Sequence, residues 1–197
     1  MSTTSHPLFD MWSRTSTVVL DAMLEANRAT AAAFGVSVDA AEPAETISIE
    51  PDSDLEEWTV ERQIAGPEPT VGDSVRFAKT LTEADVGRFA LASGDTNPIH
   101  LDREWARESR FDGRIVHGTL VAGLISAALA RLPGSVIYLS QELEFQAPVR
   151  LGDEVTAEVE IVEDLGHDRF RLRTTVLKGE TIVIDGEAVV LIDDLPA

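Results

Sequence analysis

An aspartate and a histidine five residues apart are the strongest chemical feature of the sequence. Asp95 is the third residue and His100 the last residue of the octapeptide SGDTNPIH, residues 93–100. Its glycine permits unusual backbone angles and its proline ends any helix, so a shaped turn can bring the two side chains together. Asn97 can fix this loop through side-chain hydrogen bonds to the backbone. A carboxylate and an imidazole at one point form a general acid/base pair that can hold a water. The same residues also suit an Asx turn followed by a strand-edge histidine, and the octapeptide alone leaves both interpretations open.

The pair His117-Gly118 is a second candidate. It opens the stretch 118–132, in which nearly every residue is apolar or small. If a helix begins there, its first N–H groups have no partner within the helix and can stabilise an oxygen that gains negative charge. Gly118 lets a ligand approach the backbone closely, or it relieves crowding against a sheet. Ser126 can hold a catalytic group or a water, or bond back to the carbonyl of Ala122, as buried serines usually do.

Hydrophobic patterning places these residues in an α+β domain. Thr82 suits the N-cap of a helix that runs to about residue 92, and Asp102 can cap a short helix through residue 107. The stretch from Gly118 to Leu132 is apolar on all sides, which predicts a helix buried on all sides. Alternating patterns predict strands over 74–81, 136–146, 154–163, 169–177 and 181–192. An antiparallel sheet wrapped around one buried helix, the hot-dog arrangement, satisfies both patterns.

The first 66 residues are predicted to form an appendage. Apolar residues recur at three- to four-residue steps over residues 8–34, which predicts an N-terminal amphipathic helix within segment 1–38. Residues 39–61 then carry nine acids and no base, which indicates an acidic linker over 39–66. The main domain is therefore expected to span 67–197.

The net charge of −19, from 35 acidic and 16 basic residues, restricts the partners. Such a surface repels phosphate backbones and argues against nucleic-acid binding. The acidity fits an acidic tail or a basic partner, or a whole surface adapted to high salt. Both 1–66 and 67–197 are acidic, and lysine occurs only at Lys79 and Lys178, which favours a halophilic protein. There is no cysteine, signal-peptide pattern or apolar stretch long enough for a membrane span, so a cytoplasmic protein is expected.

Four segments together resemble the MaoC-like, (R)-specific enoyl-CoA hydratases. They are residues 89–102 (FALASGDTNPIHLD), 114–120 (RIVHGTL), 138–145 (YLSQELEF) and 148–155 (PVRLGDEV). The resemblance covers about residues 70–195 and is closest to the short hydratases that feed polyhydroxyalkanoate synthesis. It implies that water is added to a trans-2-enoyl-CoA to give an (R)-3-hydroxyacyl-CoA, with no metal or redox cofactor. It also implies a homodimer, which the exposed edge of a lone wrapped sheet favours independently.

The resemblance assigns a role to each candidate residue. Asp95 and His100 become a catalytic dyad that binds the nucleophilic water; one of them activates it, and a proton reaches the α-carbon on the same face. The N–H of Gly118 would polarise the thioester carbonyl. Ser126 falls where the family has a serine that orders the dyad, and Asn97 matches the supporting residue of the loop. The family often has methionine after His-Gly; the threonine here should leave the backbone role intact.

Two other functions remain as alternatives at this point. One is a dehydratase that acts on another acyl-CoA or on acyl carrier protein, although the acidic surface argues against an acidic carrier. The other is a non-catalytic acyl-CoA-binding or granule-associated module, against which the intact Asp95, His100 and Gly118 count. Segment 1–38 is loosely similar to the phasin helices that coat polyester granules. This similarity suggests contact with a granule or with the polyester synthase, whereas an apolar stripe equally suits packing on the domain or the dimer.

The residues that contact the substrate are less well defined by the sequence. Leu91, Leu120 and Leu124 are candidates for the walls of an acyl pocket. Arg114 and Arg150 are candidates for contacts with the phosphates of CoA, or for ordinary ion pairs.

Overall fold

The computed structural model describes residues 57–193, which form six strands and four helices. In chain order they are β1 (Trp58–Gln63), β2 (Ser74–Thr80), α1 (Glu83–Ser93), α2 (Pro98–Leu101), α3 (Arg103–Arg107), α4 (Gly118–Leu129), β3 (Ser135–Phe145), β4 (Glu154–Gly166), β5 (Arg169–Lys178) and β6 (Thr181–Asp193). The amphipathic helix predicted within residues 1–38 lies outside the described residues, as does most of the predicted linker.

The strands form one antiparallel sheet in the order β1-β2-β4-β5-β6-β3, and α4 packs against β2, β4 and β5. The alternation predicted for β4 and β5 is confirmed, since alternate residues of both strands are buried. They are Val155, Ala157, Val159 and Ile161 in β4, and Phe170, Leu172, Thr174 and Val176 in β5. The predicted α+β fold, a sheet around a central helix, is therefore confirmed.

Two predicted helix caps fix the elements that flank the site loop. The Thr82 side chain accepts a hydrogen bond from the Asp85 N–H, and the Asp85 carboxylate accepts one from the Thr82 N–H. This capping box begins α1. The Asp102 carboxylate accepts hydrogen bonds from the N–H groups of Glu104 and Trp105 and so begins α3.

Part of the predicted linker belongs to the sheet instead. Residues 58–63 form β1, which pairs with β2 along its whole length. Trp58 and Val60 are half-buried and pack against the core, while Glu61 faces outward near Arg76. The prediction of a linker up to residue 66 was wrong here because this stretch carries only one acid and one base, and a short edge strand tolerates charged residues on its solvated face.

The prediction that α4 is buried on all sides was also wrong. Its core face, which includes Val121 and Ile125, is buried against the sheet. Its opposite face exposes a stripe of small residues, namely Thr119, Gly123, Ser126 and Ala130. A single sheet covers only one side of a helix, so within one chain the small and apolar residues on the other side of α4 are exposed.

No helix in the described part of the chain is both long enough and apolar enough to cross a membrane.

Candidate active site

The octapeptide loop is shaped by the end of α1 and by an Asx turn. Gly94 adopts the left-handed conformation (φ 76°), and its N–H bonds to the carbonyl of Ala90 and closes α1. The Asp95 carboxylate accepts a hydrogen bond of 3.2 Å from the Asn97 N–H. The Asn97 side chain in turn accepts one of 3.2 Å from the Ile99 N–H and caps α2. The predicted Asx turn and the hydrogen bond predicted between the Asn97 side chain and the backbone are both present, and the turn fixes the carboxylate.

The structure brings the two members of the predicted dyad together. A carboxylate oxygen of Asp95 and a ring nitrogen of His100 lie within 4.8 Å of each other. Two hydrogen bonds of about 2.8 Å that meet at a water at a tetrahedral angle span about 4.6 Å. The spacing therefore suits one water held by both side chains.

The hydrogen bond of His100 determines which nitrogen can act as a base. Its ring is buried, with 8% exposed, and Nδ1 lies 2.8 Å from the carbonyl oxygen of Ile115. A carbonyl oxygen only accepts hydrogen bonds, so Nδ1 bears the proton in the neutral ring. The lone pair is then on Nε2, which is free to accept a proton.

The side chain of His117 is part of the same cluster, and the sequence analysis missed it. The ring is 1% exposed and stacks on His100 with 3.9 Å between centroids. Its Nε2 lies 3.0 Å from the main-chain oxygen of Asp95, and the ring also contacts Phe89. In the sequence, the signal for this role is a histidine at the N-cap of an apolar helix, directly before Gly118.

These three side chains are of types that bind metals, but their arrangement fits proton transfer better. The rings of His100 and His117 are stacked with 29° between their planes. Nitrogen lone pairs lie in the ring plane, so two stacked imidazoles do not converge on one ion. Each ring also has one nitrogen bonded to a main-chain carbonyl.

Gly118 begins α4 and faces the same cavity as His100. As the first helical residue, its N–H has no partner within the helix. A cavity of about 310 Å³ is lined by both Gly118 and His100. A Cβ at position 118 would lie 2.9 Å from Cε1 of Phe145, so the glycine also relieves crowding against the sheet. The crowding interpretation of Gly118 is therefore confirmed, while the approach of a ligand to its backbone stays a prediction.

The cavity walls are not those suggested by the sequence. Leu91 is 89% exposed on α1, Leu124 belongs to the core, and Leu120 does not line the cavity. Segments distant in sequence, including the β3–β4 connection and β6, form the walls, and sequence periodicity cannot bring them together. The apolar wall residues are Phe111, Ile115, Val116, Val121, Phe145, Ala147, Pro148, Val149 and Ile184.

Of the arginines near the cavity, the two suggested by the sequence already have partners. Arg114 forms an ion pair of 2.9 Å with Glu83. Arg150 donates a hydrogen bond to the main-chain oxygen of Phe111. Arg110 lines the cavity itself, with its guanidinium over the Phe111 ring, and the sequence analysis missed it.

Ser126 is not brought to the dyad within one chain. It lies eight residues after Gly118, about 12 Å along the helix, on the exposed face of α4. Its hydroxyl donates to Oη of Tyr138 at 3.4 Å rather than to the Ala122 carbonyl. Burial raises the pKa of Tyr138 and outweighs the opposing effect of this hydrogen bond, so the phenol stays protonated at neutral pH.

Comparison with known proteins agrees with this geometry. The (R)-specific enoyl-CoA hydratase of Rhodospirillum rubrum is 46% identical over 124 residues, which cover 61% of this chain and 86% of that protein. The 3-hydroxybutyryl-CoA dehydratase of Methylorubrum extorquens is 46% identical over 123 residues, which cover 61% of this chain and 78% of that protein.

Among solved structures, the Aeromonas caviae (R)-hydratase involved in polyhydroxyalkanoate biosynthesis aligns with a TM-score of 0.61 and 40% identity. The match covers 64% of this chain and 98% of that one. An (R)-hydratase from Pseudomonas aeruginosa aligns with a TM-score of 0.62 and 40% identity, covering 70% of this chain and 90% of that one. The family model of the MaoC-like domain matches residues 67–185. The chain therefore belongs to the MaoC-like domain family.

Proposed function

We propose that the protein is an (R)-specific 2-enoyl-CoA hydratase, a hydro-lyase that converts trans-2-enoyl-CoA and water to (R)-3-hydroxyacyl-CoA. One observation carries the proposal. The carboxylate of Asp95 and a ring nitrogen of His100 lie within 4.8 Å, and His100 shares an apolar cavity with Gly118 at the start of α4. The names of the relatives from Rhodospirillum rubrum and Aeromonas caviae support the same reaction.

The geometry supports a mechanism in which the water oxygen bonds to C3 and a proton of the same water reaches C2. Asp95 and His100 hold the water, and one of them takes its proton as the oxygen bonds to C3. The C2–C3 π electrons then shift toward the thioester oxygen, where the Gly118 N–H stabilises the developing negative charge. The proton held by the dyad is delivered to C2 on the same face. The product gains one oxygen and two hydrogens, which is one water.

The proposal is tested with crotonyl-CoA, whose ultraviolet absorbance falls on hydration. Wild-type protein is expected to hydrate it, and Asp95→Asn to lose at least about 100-fold in kcat, because a positioned acid/base group contributes that much. Asp102→Asn is the matched control, since that carboxylate caps α3 and asparagine caps helices equally well. Wild-type protein that binds acyl-CoA without hydrating it would favour a non-catalytic module, and activity on other acyl thioesters alone would change the substrate.

We also propose that the protein works as a homodimer. The exposed small-residue stripe of α4 and the edge strand β3, with Ile137, Tyr138 and Leu139 exposed, support a second copy as the occupant of this face. Pairing there would enclose Ser126, for which we propose an orienting role in the assembled site.

Substitution within the stripe tests the dimer. A Cβ at Gly123 meets nothing within 4 Å, so Gly123→Leu should leave one chain folded while blocking the close approach of a second. Gly87→Leu on α1, where a Cβ also meets nothing, is the control. Light scattering should show twice the chain mass of 21.3 kDa for wild type and control, and the single mass for Gly123→Leu. A dimeric Gly123→Leu would contradict the proposed interface.

A role in polyhydroxyalkanoate synthesis, with segment 1–38 contacting the granule or the synthase, is part of the same proposal. Phe9, Trp12 and Phe34 beside an acidic tether support it. Because β1 begins at Trp58, the test deletes only residues 1–50 and keeps the sheet whole. The truncated protein should be absent from isolated granules and should keep its hydratase activity. An unchanged amount of protein on the granules would contradict the proposal.

We further propose that the protein works in a cytoplasm of high ionic strength, which its net charge of −19 supports. Salt screens the repulsion between carboxylates, so the Tm should rise as NaCl increases from 0.1 to about 2 M. A Tm that falls over this range would contradict it.

A further inference from the structure

His117 touches all three parts of the site, and the proposed mechanism does not use its side chain. It bonds to the main chain at Asp95, stacks on His100 and directly precedes Gly118. We propose that His117 is a positioning residue for the hydration reaction proposed above: its Nε2–H and its ring hold the water-binding pair at a fixed distance from the Gly118 N–H.

The contacts define what each part of the ring does. The main-chain oxygen of Asp95 can only accept, so Nε2 of His117, 3.0 Å away, bears the proton in the neutral ring. This bond holds the loop between α1 and α2 at the residue that carries the carboxylate. The ring face contacts His100 with 3.9 Å between centroids. One side chain therefore restrains both members of the dyad from the N-cap of α4.

The state of the other ring nitrogen, Nδ1, indicates that the hydrogen bond to Asp95 explains why this residue is a histidine. Nδ1 of His117 is buried and has no hydrogen-bond partner among the described residues. A buried polar atom without a partner is unfavourable, and an apolar ring would avoid that cost. Packing alone would therefore favour phenylalanine at this position.

The restraint matters because the two halves of the site lie on different elements. Asp95 and His100 belong to the loop and α2, whereas the Gly118 N–H belongs to α4. Hydrogen bonds join residue 115 to residues 99 and 100, and the His117 bond joins the N-cap of α4 to Asp95 itself. A displacement of about 1 Å between reacting groups can slow a reaction roughly 100-fold.

Two substitutions separate the donor from the ring. His117→Phe keeps a ring and removes the donor, while His117→Gln keeps an N–H donor and removes the ring. We expect His117→Phe to keep the wild-type Tm or exceed it, with kcat for crotonyl-CoA at least about tenfold lower and KM changed less than threefold. His117→Gln should recover part of kcat. A merely structural role would instead lower kcat and Tm together, and a kcat for His117→Phe within twofold of wild type would overturn the proposal.

A second measurement needs no substrate. Amide hydrogen exchange at Asn97, whose N–H bonds to the Asp95 carboxylate, should be about tenfold faster in His117→Phe, while the interior amides of β5 keep their rates. Unchanged exchange at Asn97 would overturn the positioning of the loop. Faster exchange together with a wild-type protein that hydrates no enoyl-CoA would leave the positioning intact and refute the proposed function instead.

Discussion

Replacing Gly118 with alanine separates the two roles that the structure gives this glycine. The new Cβ would lie 2.9 Å from Cε1 and 3.1 Å from Cδ1 of Phe145. Ordinary carbon–carbon contacts begin at about 3.5 Å, so the new Cβ or the Phe145 ring must move by roughly 0.6 Å. The Phe145 ring is 56% exposed and can move outward, so we expect the free energy of unfolding to change by less than about 1 kcal/mol.

Activity should respond much more strongly than stability. The Cβ would stand beside the N–H that is proposed to receive the thioester oxygen, and loss of one such donor costs roughly 100- to 1000-fold in kcat. A group that is displaced rather than lost should cost less, so we expect Gly118→Ala to lower kcat by about 10- to 100-fold.

A double-mutant cycle with Phe145→Leu is the assay. The smaller side chain makes room for the Cβ, so relief of crowding alone would return Gly118→Ala/Phe145→Leu to the kcat of Phe145→Leu. The proposed N–H role predicts that the double variant stays at least tenfold slower than Phe145→Leu in crotonyl-CoA hydration. Full recovery would refute the reasoning.

Three further predictions concern binding and stability. Arg110 lines the cavity, so we expect its guanidinium to contact the phosphates of CoA. Arg110→Gln should then raise KM for crotonyl-CoA several-fold with kcat within twofold, and leave KM for crotonyl-pantetheine unchanged; an equal rise in KM for both substrates would contradict this contact. Asp73 is buried and accepts hydrogen bonds of 2.8 and 2.9 Å from two main-chain N–H groups of the β1–β2 connection. Asp73→Ala should therefore lower the free energy of unfolding, measured with urea, by about 3 kcal/mol. A loss below about 0.5 kcal/mol would refute this prediction. Burial raises the pKa of Asp85, but hydrogen bonds from Thr82 and the nearby Lys79 outweigh it and lower the pKa below its ordinary value of 3.8. The charged carboxylate therefore stabilises the fold above pH 3.8, and this stabilisation is lost as the pH falls through the lowered pKa. Asp85→Asn should make the Tm fall less steeply as the solution is acidified. A steeper fall of Tm would contradict the lowered pKa of Asp85.

Local sequence signals predicted most of the elements and the loop of the candidate site. Thr82 and Asp102 were identifiable as caps because capping depends on a few adjacent residues, and the faces of β4 and β5 follow from alternation. Gly118 could be placed at a helix start because an apolar run begins there. The loop and the helix start could be combined into one site only through the resemblance to a family.

The missed features depend on contacts between distant segments. β1 is short and directly follows an acidic stretch, and it is recognisable as a strand only once β2 is beside it. The stacking of His117 on His100 joins residues 17 apart in sequence, and Arg110 reaches the cavity through the packing of the segment before α4. The exposed face of α4 was mispredicted because its apolar composition indicates burial but does not show which surface buries it.

Hydration of crotonyl-CoA in D₂O, with the product analysed by NMR and chiral chromatography, tests whether Asp95 and His100 act on one water. A water held by both side chains adds its hydroxyl group and its proton to the same face of the double bond. We therefore expect (R)-3-hydroxybutyryl-CoA with one deuterium at C2 in a single configuration, that of syn addition. An (S)-alcohol, or deuterium in both C2 configurations equally at early times, would contradict it.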